Sequence, residues 1–193
     1  FATVLGDAGT ATLCTAVPEE EDWFGTNRFF SHLDSQHWEA IITPKGGSRD
    51  PVFSVEDITS GRNKLGMNGA LVKELVVPAI SDHITDAALK QVGWEYSDLD
   101  WVTIHEANLE QLNRPIVKAW RGKGFRGDVL DAHGDFGNTT SASIPLALAL
   151  NGERLRPVST PPKKFGWFGV GGSLSAVLAF GEIRHELLTF LDV

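Results

Sequence analysis

His105 and Asn138 are the two side chains whose type and position best suit chemistry in this sequence. His105 directly follows the run DWVTI at Asp100–Ile104, and Asn138 follows a glycine and opens an apolar stretch that reaches Leu150. A neutral imidazole and a carboxamide can both donate hydrogen bonds to one developing oxyanion. The two residues therefore form a candidate oxyanion site, with Asn108 opening the helix that follows His105.

A glycine-rich segment, FGVGGSLSA over 168–176, could supply a second oxyanion site. Glycines let backbone N–H groups approach a ligand closely. Each of these features also has a purely structural interpretation. A histidine at a strand end is more often structural than catalytic, Asn108 and Asn138 could be ordinary helix N-caps, and the glycines could form a tight hairpin.

Motifs for other chemistries are missing from the sequence. It contains no P-loop, no dinucleotide-binding glycine pattern, no CxxC, no HExxH and no GxSxG. His32 and His37 lie in an aromatic stretch, but no Cys, His or Asp cluster around them has metal-ligand spacing. We therefore predict no metal and no bound cofactor. Cys14 lies among small apolar residues and is predicted to be a buried, inert thiol.

Composition narrows the class of protein. The 193 residues are 42% hydrophobic, which indicates a globular chain. A net charge of −8 argues against nucleic-acid binding, which needs basic patches. No apolar run approaches the roughly 20 residues that span a bilayer. A single cysteine cannot form an internal disulfide, so we expect a cytoplasmic protein. The chain opens at Phe1 inside an apolar run without an initiator Met, which suggests a fragment, a proteolysed chain or a partner-dependent half.

Strands alternate with helices along the chain, which predicts an α/β fold. The predicted strands cover 1–17 with a break at 6–9, 29–33, 38–43, 100–104, 128–130, 164–168 and 174–183. The predicted helices cover 68–92 with a kink at Pro78, 108–122 and 138–150. The last helix is apolar nearly all round, so we expect it to be buried. The aromatic-rich region 18–62 is interpreted as a packed, irregular excursion within the domain.

In this order and spacing, five motifs make the chain resemble the C-terminal half of β-ketoacyl-acyl-carrier-protein synthase III, in the thiolase superfamily. They are GDAGTA at 6–11, MNGALV at 67–72, DLDWVTIHEAN at 98–108, GNTTSASIPLAL at 137–148 and GVGGSLSA at 169–176. The resemblance covers the whole chain, 1–193. It implies a thiolase-like half: a mixed five-stranded sheet with helices on both faces, which packs against a sister half and dimerises.

The resemblance also implies an activity, the decarboxylative Claisen condensation of an acyl thioester with a malonyl thioester. In such enzymes the histidine and the amide stabilise the enolate that forms on loss of CO₂, which implies catalytic roles for His105 and Asn138. The N–H of Gly172 would belong to the oxyanion hole for acyl transfer. Ala107 and Asn108 would lie near the pantetheine arm of a coenzyme A or carrier-protein substrate.

Several residues depart from the family pattern. The nucleophilic cysteine belongs to the family's N-terminal half and Cys14 does not match it, so the 193-residue chain alone is expected to be inactive. Glu106 replaces a glutamine and Ser173 replaces the third glycine of the closing turn. Glu110 stands where the family often has an arginine that helps dock the acidic carrier protein. Both coenzyme A and carrier-protein donors therefore remain open, as does the acyl-chain length.

Two other functions remain open at this point. The chain could be a non-catalytic partner subunit that completes a sister chain carrying the cysteine. It could also belong to a non-condensing acyltransferase, although such an enzyme would more often replace Asn138. A thiolase of the classical type would carry a second cysteine in the closing glycine-rich segment, and 168–176 has none.

Overall fold

The structure is a computed structural model that describes residues 5–12, 28–52, 54–132, 134–155 and 163–183. The strands are β1 (Arg28–Leu33), β2 (Ile41–Ile42), β3 (Gly66–Met67), β4 (Trp101–Ile104), β5 (Asp128–Val129), β6 (Lys163–Gly171) and β7 (Ser175–Ile183). Five of them form the main sheet in the order β1-β7-β6-β4-β5, and β2 pairs with β3 separately. β7 runs antiparallel to both its neighbours, whereas β4 is parallel to β6 and β5. The predicted mixed five-stranded α/β sheet is confirmed.

One face of the sheet packs against helices α2 (Gly69–Pro78), α3 (Thr85–Val92) and α4 (Arg114–Gly122). Their apolar residues recur every third or fourth position, which gives each helix one buried stripe. Trp120 of α4 meets Phe168 of β6 with ring centroids 4.5 Å apart, and Phe168 meets Phe180 of β7 edge-on at 5.7 Å. These aromatic contacts fix the part of β6 that lies beside His105.

The predicted kink at Pro78 takes the form of a change in helix type. After α2 the chain continues as a π-helical segment over Ala79–Ile84 before α3 begins. Proline has no N–H to donate to the preceding turn and its ring crowds that turn, so the regular hydrogen-bond ladder cannot continue unchanged. A π-helical turn, Leu109–Asn113, likewise precedes α4 in the second predicted helix.

The opposite face carries α5 (Ser143–Leu150) and the short α6 (Gly152–Leu155) over Leu130, Leu155 and Phe165. α5 is only partly buried, which corrects the prediction of a fully buried helix. Ser143 and Ala147 are buried against the sheet, whereas Ala149 and Leu150 are exposed. The sequence pattern predicts that α5 is apolar on all sides, but the described residues of this chain bury only the side that faces the sheet.

The same face is also uncovered at the β1 edge. Phe29 is 70% exposed and Val177 is 49% exposed. Phe29 pairs with Ala179, which lies two residues from Val177, so all three side chains share this face. The face that carries α5 is therefore apolar well beyond the area that α5 and α6 cover.

Two predicted strands differ from the structure. Trp38–Ala40 forms a 3₁₀ turn, and only Ile41–Ile42 is extended, so the strand predicted over 38–43 is mostly wrong. Within the first predicted strand, residues 5–12 make one isolated bridge, between Leu5 and Asn138, and 1–4 and 13–17, which include Cys14, lie outside the described residues. In the predicted excursion, the described residues supply β1, β2 and α1 (Val55–Thr59).

Within the described ranges, no helix has both the length and the apolar character needed to cross a bilayer. The same ranges contain no group of three or more His, Cys, Asp or Glu side chains arranged to hold a metal ion.

Candidate active site

His105 lies one residue beyond β4, at the carboxyl end of two parallel strands. Its backbone N–H donates to the carbonyl of Phe168 on β6 at 2.8 Å, which continues the β4–β6 ladder by one step. Its carbonyl accepts from the N–H of Ala107 at 2.9 Å and from Nδ2 of Asn113 at 3.2 Å. The backbone of His105 is therefore held on both sides.

The imidazole of His105 is half-buried and contacts α5. Its Nδ1 lies 2.6 Å from Oγ of Ser143, the first residue of that helix. Burial removes the ring from water and lowers the pKa of His105 below its ordinary value of 6.5. The ring is therefore neutral at neutral pH, which suits a hydrogen-bond donor rather than an acid.

The carboxamide of Asn138 is held by its own turn. Oδ1 accepts the backbone N–H of Thr140 at 2.9 Å, and Nδ2 lies 3.5 Å from the carbonyl of Ala107. The following 3₁₀ turn covers Thr140–Ala142 and α5 starts at Ser143, so Asn138 is not a helix N-cap. The structural alternative considered for Asn138 is therefore wrong.

The loop that follows β4 begins with His105 and is contacted by Asn138 two residues later, at Ala107. Nδ2 of Asn138 lies 3.5 Å from the carbonyl of Ala107. The helix α5, which follows Asn138 in the chain, places the Ser143 hydroxyl 2.6 Å from Nδ1 of His105. The segment that carries Asn138 and the helix α5 that follows it therefore both contact the chain at His105–Ala107. A shared oxyanion site formed by His105 and Asn138 stays a prediction.

The GDAGTA segment supports Asn138 from behind. The N–H of Gly6 donates to the carbonyl of Asn138 at 3.0 Å, and Leu5 forms a parallel bridge with the same residue. A Cβ added at Gly6 would lie 1.5 Å from the carbonyl oxygen of Phe136, so only glycine fits. The sequence analysis identified the motif that contains Gly6, but it did not predict the contact of Gly6 with Phe136.

Asn108 caps the helix that follows His105. Its Oδ1 accepts the N–H of Gln111 at 3.0 Å, so the N-cap alternative is confirmed for its side chain. Ala107 contributes its carbonyl to Asn138. A role for Ala107 and Asn108 in binding a pantetheine arm stays a prediction.

Gly172 lies at the far end of β6. Phe168, next to His105, is followed by the rest of β6 up to Gly171, and a 3₁₀ turn over Gly172–Leu174 connects to β7. At about 3.3 Å per residue, Gly172 is about 13 Å along the strand from Phe168. In the part of the chain that the structure describes, no hydrogen bond joins Gly172 to His105 or Asn138, and its role as an oxyanion donor stays a prediction.

Glu106 is a neighbouring buried carboxyl group that the sequence did not single out as a contact. It is 4% exposed, and its Oε1 accepts the N–H of Ala132 at 2.5 Å. The bond ties the loop after β4 to the segment after β5, which leads on to Asn138. Ser143 and Asn113 were also missed, because a serine or asparagine in a helix gives no sequence signal of what it faces.

A cavity of about 230 Å³ lies between β1, α2 and the turn that joins β6 to β7. Its lining includes His32, Asp34, Pro78, Val170 and Leu174, and it includes neither His105 nor Asn138.

Comparison with known proteins places these features in a family. Residues 89–180 match the family model described as 3-oxoacyl-[acyl-carrier-protein] synthase III C terminal. The chain is 31% identical over 153 residues to the chloroplastic β-ketoacyl-[acyl-carrier-protein] synthase III B of Cuphea wrightii. This alignment covers 75% of this chain and 37% of the plant protein. It is also 31% identical over 157 residues to β-ketoacyl-[acyl-carrier-protein] synthase III of Escherichia coli O1:K1 / APEC, covering 80% and 44% respectively.

A solved structure shares the fold. The 3-oxoacyl-(acyl-carrier protein) synthase of Burkholderia xenovorans LB400 superposes with a TM-score of 0.65 at 24% identity, over 82% of this chain and 44% of that one. The chain spans less than half the length of the two curated relatives. The matched region holds His105 and Asn138 together with β4, β5, β6 and most of β7. Residues 89–180 therefore match the C-terminal domain of 3-oxoacyl-[acyl-carrier-protein] synthase III, and the chain is similar to the C-terminal part of these enzymes.

Proposed function

We propose that this chain supplies the decarboxylation site of an enzyme that condenses an acyl thioester with a malonyl thioester. The observation that carries the proposal is that the half-buried, neutral imidazole of His105 contacts Ser143, while the carboxamide of Asn138, five residues before Ser143, lies 3.5 Å from the carbonyl of Ala107, two residues after His105. Both groups can donate to one oxygen without gaining or losing a proton. Such fixed donors, already in place when charge develops, are an effective way to stabilise an oxyanion.

The first chemical step breaks the bond between the malonyl α-carbon and its carboxylate. CO₂ leaves, and the electron pair of that bond moves onto the α-carbon and the thioester oxygen as an enolate. His105 and Asn138 donate to the enolate oxygen, so the negative charge that develops there is stabilised. Because both donors are neutral, they do not protonate the enolate, which keeps its carbon nucleophilic.

The second step forms the new carbon–carbon bond. The enolate carbon attacks an acyl group held as a thioester on a cysteine, and the electron pair of the carbonyl moves to its oxygen. The N–H of Gly172 would stabilise that second oxyanion. Collapse of the intermediate expels the cysteine thiolate and leaves a 3-oxoacyl thioester on coenzyme A or a carrier protein. The step requires no further cofactor.

The cysteine must come from protein outside these 193 residues, because Cys14 does not match the family's nucleophile. The uncovered apolar surface around α5, Phe29 and Val177 supports a sister half that packs on this face. Burying such surface stabilises an assembly by about 25 cal/mol per Å². Homodimerisation of the complete protein, and inactivity of this chain on its own, belong to the same proposal.

The test uses the natural protein that contains this chain, supplied with acyl-coenzyme A and malonyl thioester on coenzyme A or carrier protein. His105→Ala and Asn138→Ala should each lower CO₂ release by about 100-fold or more, since each removes one oxyanion donor. Covalent acylation of the cysteine should survive in both variants. Decarboxylation at the parent rate in both variants would overturn the proposal, and acyl transfer without any CO₂ release would indicate a non-condensing acyltransferase.

A further inference from the structure

We infer that Ser143 is a positioning residue that sets the tautomer and the orientation of the His105 ring. The inference rests on the proposed function for its consequence in catalysis, but the contact itself does not depend on that function. The Ser143 hydroxyl lies 2.6 Å from Nδ1 of His105, and Ser143 is only 3% exposed. At this distance one of the two groups donates a proton and the other accepts it.

The count of hydrogen-bond partners decides which group donates. Among the described residues, His105 Nδ1 is the one hydrogen-bond partner recorded for the Ser143 hydroxyl. If Nδ1 carried the ring proton, it would donate to Oγ and the hydroxyl hydrogen would be buried without an acceptor. A buried donor without an acceptor destabilises the folded state, because its hydrogen bond to water is lost and not replaced. The favoured arrangement therefore has the hydroxyl donating to Nδ1, which places the ring proton on Nε2.

The rest of the site needs this arrangement. The backbone of His105 is fixed by Phe168 on one side and by Asn113 on the other, but neither contact restrains the ring. Ser143 is the group that holds the ring itself. It leaves Nε2–H of His105 as the free donor. In Asn138, the Oδ1 is occupied by the N–H of Thr140, so its NH₂ is the end left to donate. Both residues then offer N–H groups, as an enolate oxygen requires.

Position on α5 makes Ser143 suited to this task. It is the first residue of that helix, and a rigid element holds a contacting group more accurately than a loop does. Ser141, two residues earlier, is exposed and has no recorded contact with His105. Ser141→Ala is therefore a matched control, because it removes the same hydroxyl from the same segment without touching the ring.

The test compares the natural protein with Ser143→Ala, Ser143→Thr and Ser141→Ala. Histidine labelled with ¹⁵N in the ring gives the tautomer by NMR, and the His105 signals are distinguished from those of the other histidines by their loss in His105→Gln. The parent protein and Ser141→Ala should show the proton on Nε2. Ser143→Ala should show a mixture of tautomers, and Ser143→Thr, which keeps the hydroxyl, should restore the parent pattern.

The kinetic readout is malonyl decarboxylation. Ser143→Ala should lower its kcat by about three- to tenfold with little change in KM, since one hydrogen bond that orients the donor is lost. A proton on Nδ1 in the parent protein, or an unchanged tautomer and rate in Ser143→Ala, would overturn the inference. If the parent shows the Nε2 tautomer and Ser143→Ala disturbs it, but the parent releases no CO₂, the positioning stands and the proposed function fails.

Discussion

The side-chain oxygen of Asn138 accepts the backbone N–H of Thr140 at 2.9 Å, so the amide is held with its NH₂ end turned towards the loop that carries His105. At 3.5 Å, the contact from Nδ2 to the carbonyl of Ala107 is at the long limit for a hydrogen bond. Thr140 adopts a positive φ of 54° and Gly137 one of 64° to form this turn. Backbone strain of this kind persists where surrounding contacts fix it, and here those contacts fix the amide.

Replacing Asn138 with aspartate distinguishes the role of the amide oxygen from that of the amide NH₂ group. Asn138→Asp keeps the oxygen that accepts from Thr140, but it replaces the donating NH₂ with an oxygen that carries negative charge. We expect decarboxylation of a malonyl thioester to fall by about 100-fold or more, and the free energy of unfolding to fall by about 1 kcal/mol. The measurements are the rate of CO₂ release and urea unfolding.

The control is Asn68→Asp, which makes the same chemical change at a helix cap. Oδ1 of Asn68 accepts the N–H of Leu71 at 3.2 Å, and aspartate caps helices about as well as asparagine. This variant should keep the parent activity and stability. Equal loss of activity in the two variants would show that the amide of Asn138 has no special role.

Gly6 and Gly9 offer a test of how Asn138 is supported. Gly6→Ala would place a Cβ against the carbonyl of Phe136, whereas a Cβ at Gly9 meets nothing within 4 Å. We expect Gly6→Ala to destabilise the protein by about 1–3 kcal/mol, because the backbone must move apart, and Gly9→Ala to change stability by less than about 0.5 kcal/mol. Urea unfolding measures both. Equal effects at the two positions would contradict the packing described here.

The sequence predicted the elements that local pattern determines. The repeat of apolar residues from Val72 to Ala88 predicted the helices on one face, and the run before His105 predicted β4. The glycine-rich segment predicted the turn between β6 and β7. These signals are local. Residues three or four apart share a face of a helix, and residues two apart share a face of a strand.

The contacts that complete the site could not be predicted in the same way. The bond between Ser143 and His105 joins residues 38 positions apart, and the approach of Gly6 to Phe136 joins two distant segments. Neither follows from spacing along one element. The predicted burial of α5 failed for a related reason: an apolar helix surface shows that something covers it, but not that this chain does so.

The lowered pKa of His105 predicts a pH dependence of stability. Because burial disfavours the charged ring, the unfolded chain binds a proton more readily than the folded one between the folded pKa and 6.5. Stability should therefore be greatest above pH 6.5 and should decline as the pH falls below that value. Urea unfolding at pH 5.5 and 7.5 should show a smaller difference in His105→Gln than in the parent.

A matched control for this dependence is His32→Gln, because His32 is exposed on β1. The control should retain the pH dependence of the parent protein. If His105→Gln also kept the parent's pH dependence of stability, that dependence would have to come from titratable groups other than His105.

Lys123 connects the end of α4 to the helical segments at Asp82 and Asp86. Its Nζ lies 2.8 Å from a carboxylate oxygen of each, and the hydroxyl of Tyr96 donates to Asp86 at 2.6 Å. The hydrogen bond from Lys123 is the main cause that lowers the pKa of Asp82. Burial alone would lower the pKa of Lys123, but the two aspartates outweigh it and raise that pKa.

Lys123→Met should therefore lower the free energy of unfolding by about 1 kcal/mol at pH 7, since the pairs are partly exposed. The loss should shrink as the pH falls through the pKa of Asp82, because the stabilisation by a carboxylate of lowered pKa disappears on protonation. Lys118→Met, at an exposed position of α4, should change little. An equal loss in both variants would mean that the cluster around Lys123 does not stabilise the fold.

The exposed side of α5 gives a test of the proposed second half. Ala149 and Val55 are both exposed in this chain, and Ala149 lies on α5, where a sister half is proposed to pack. In the complete protein, Ala149→Cys should react with a maleimide at least about tenfold more slowly than Val55→Cys, measured by mass spectrometry against the background of the parent protein. Equal labelling of the two would show that α5 stays open to solvent, and the second half would then have to pack elsewhere.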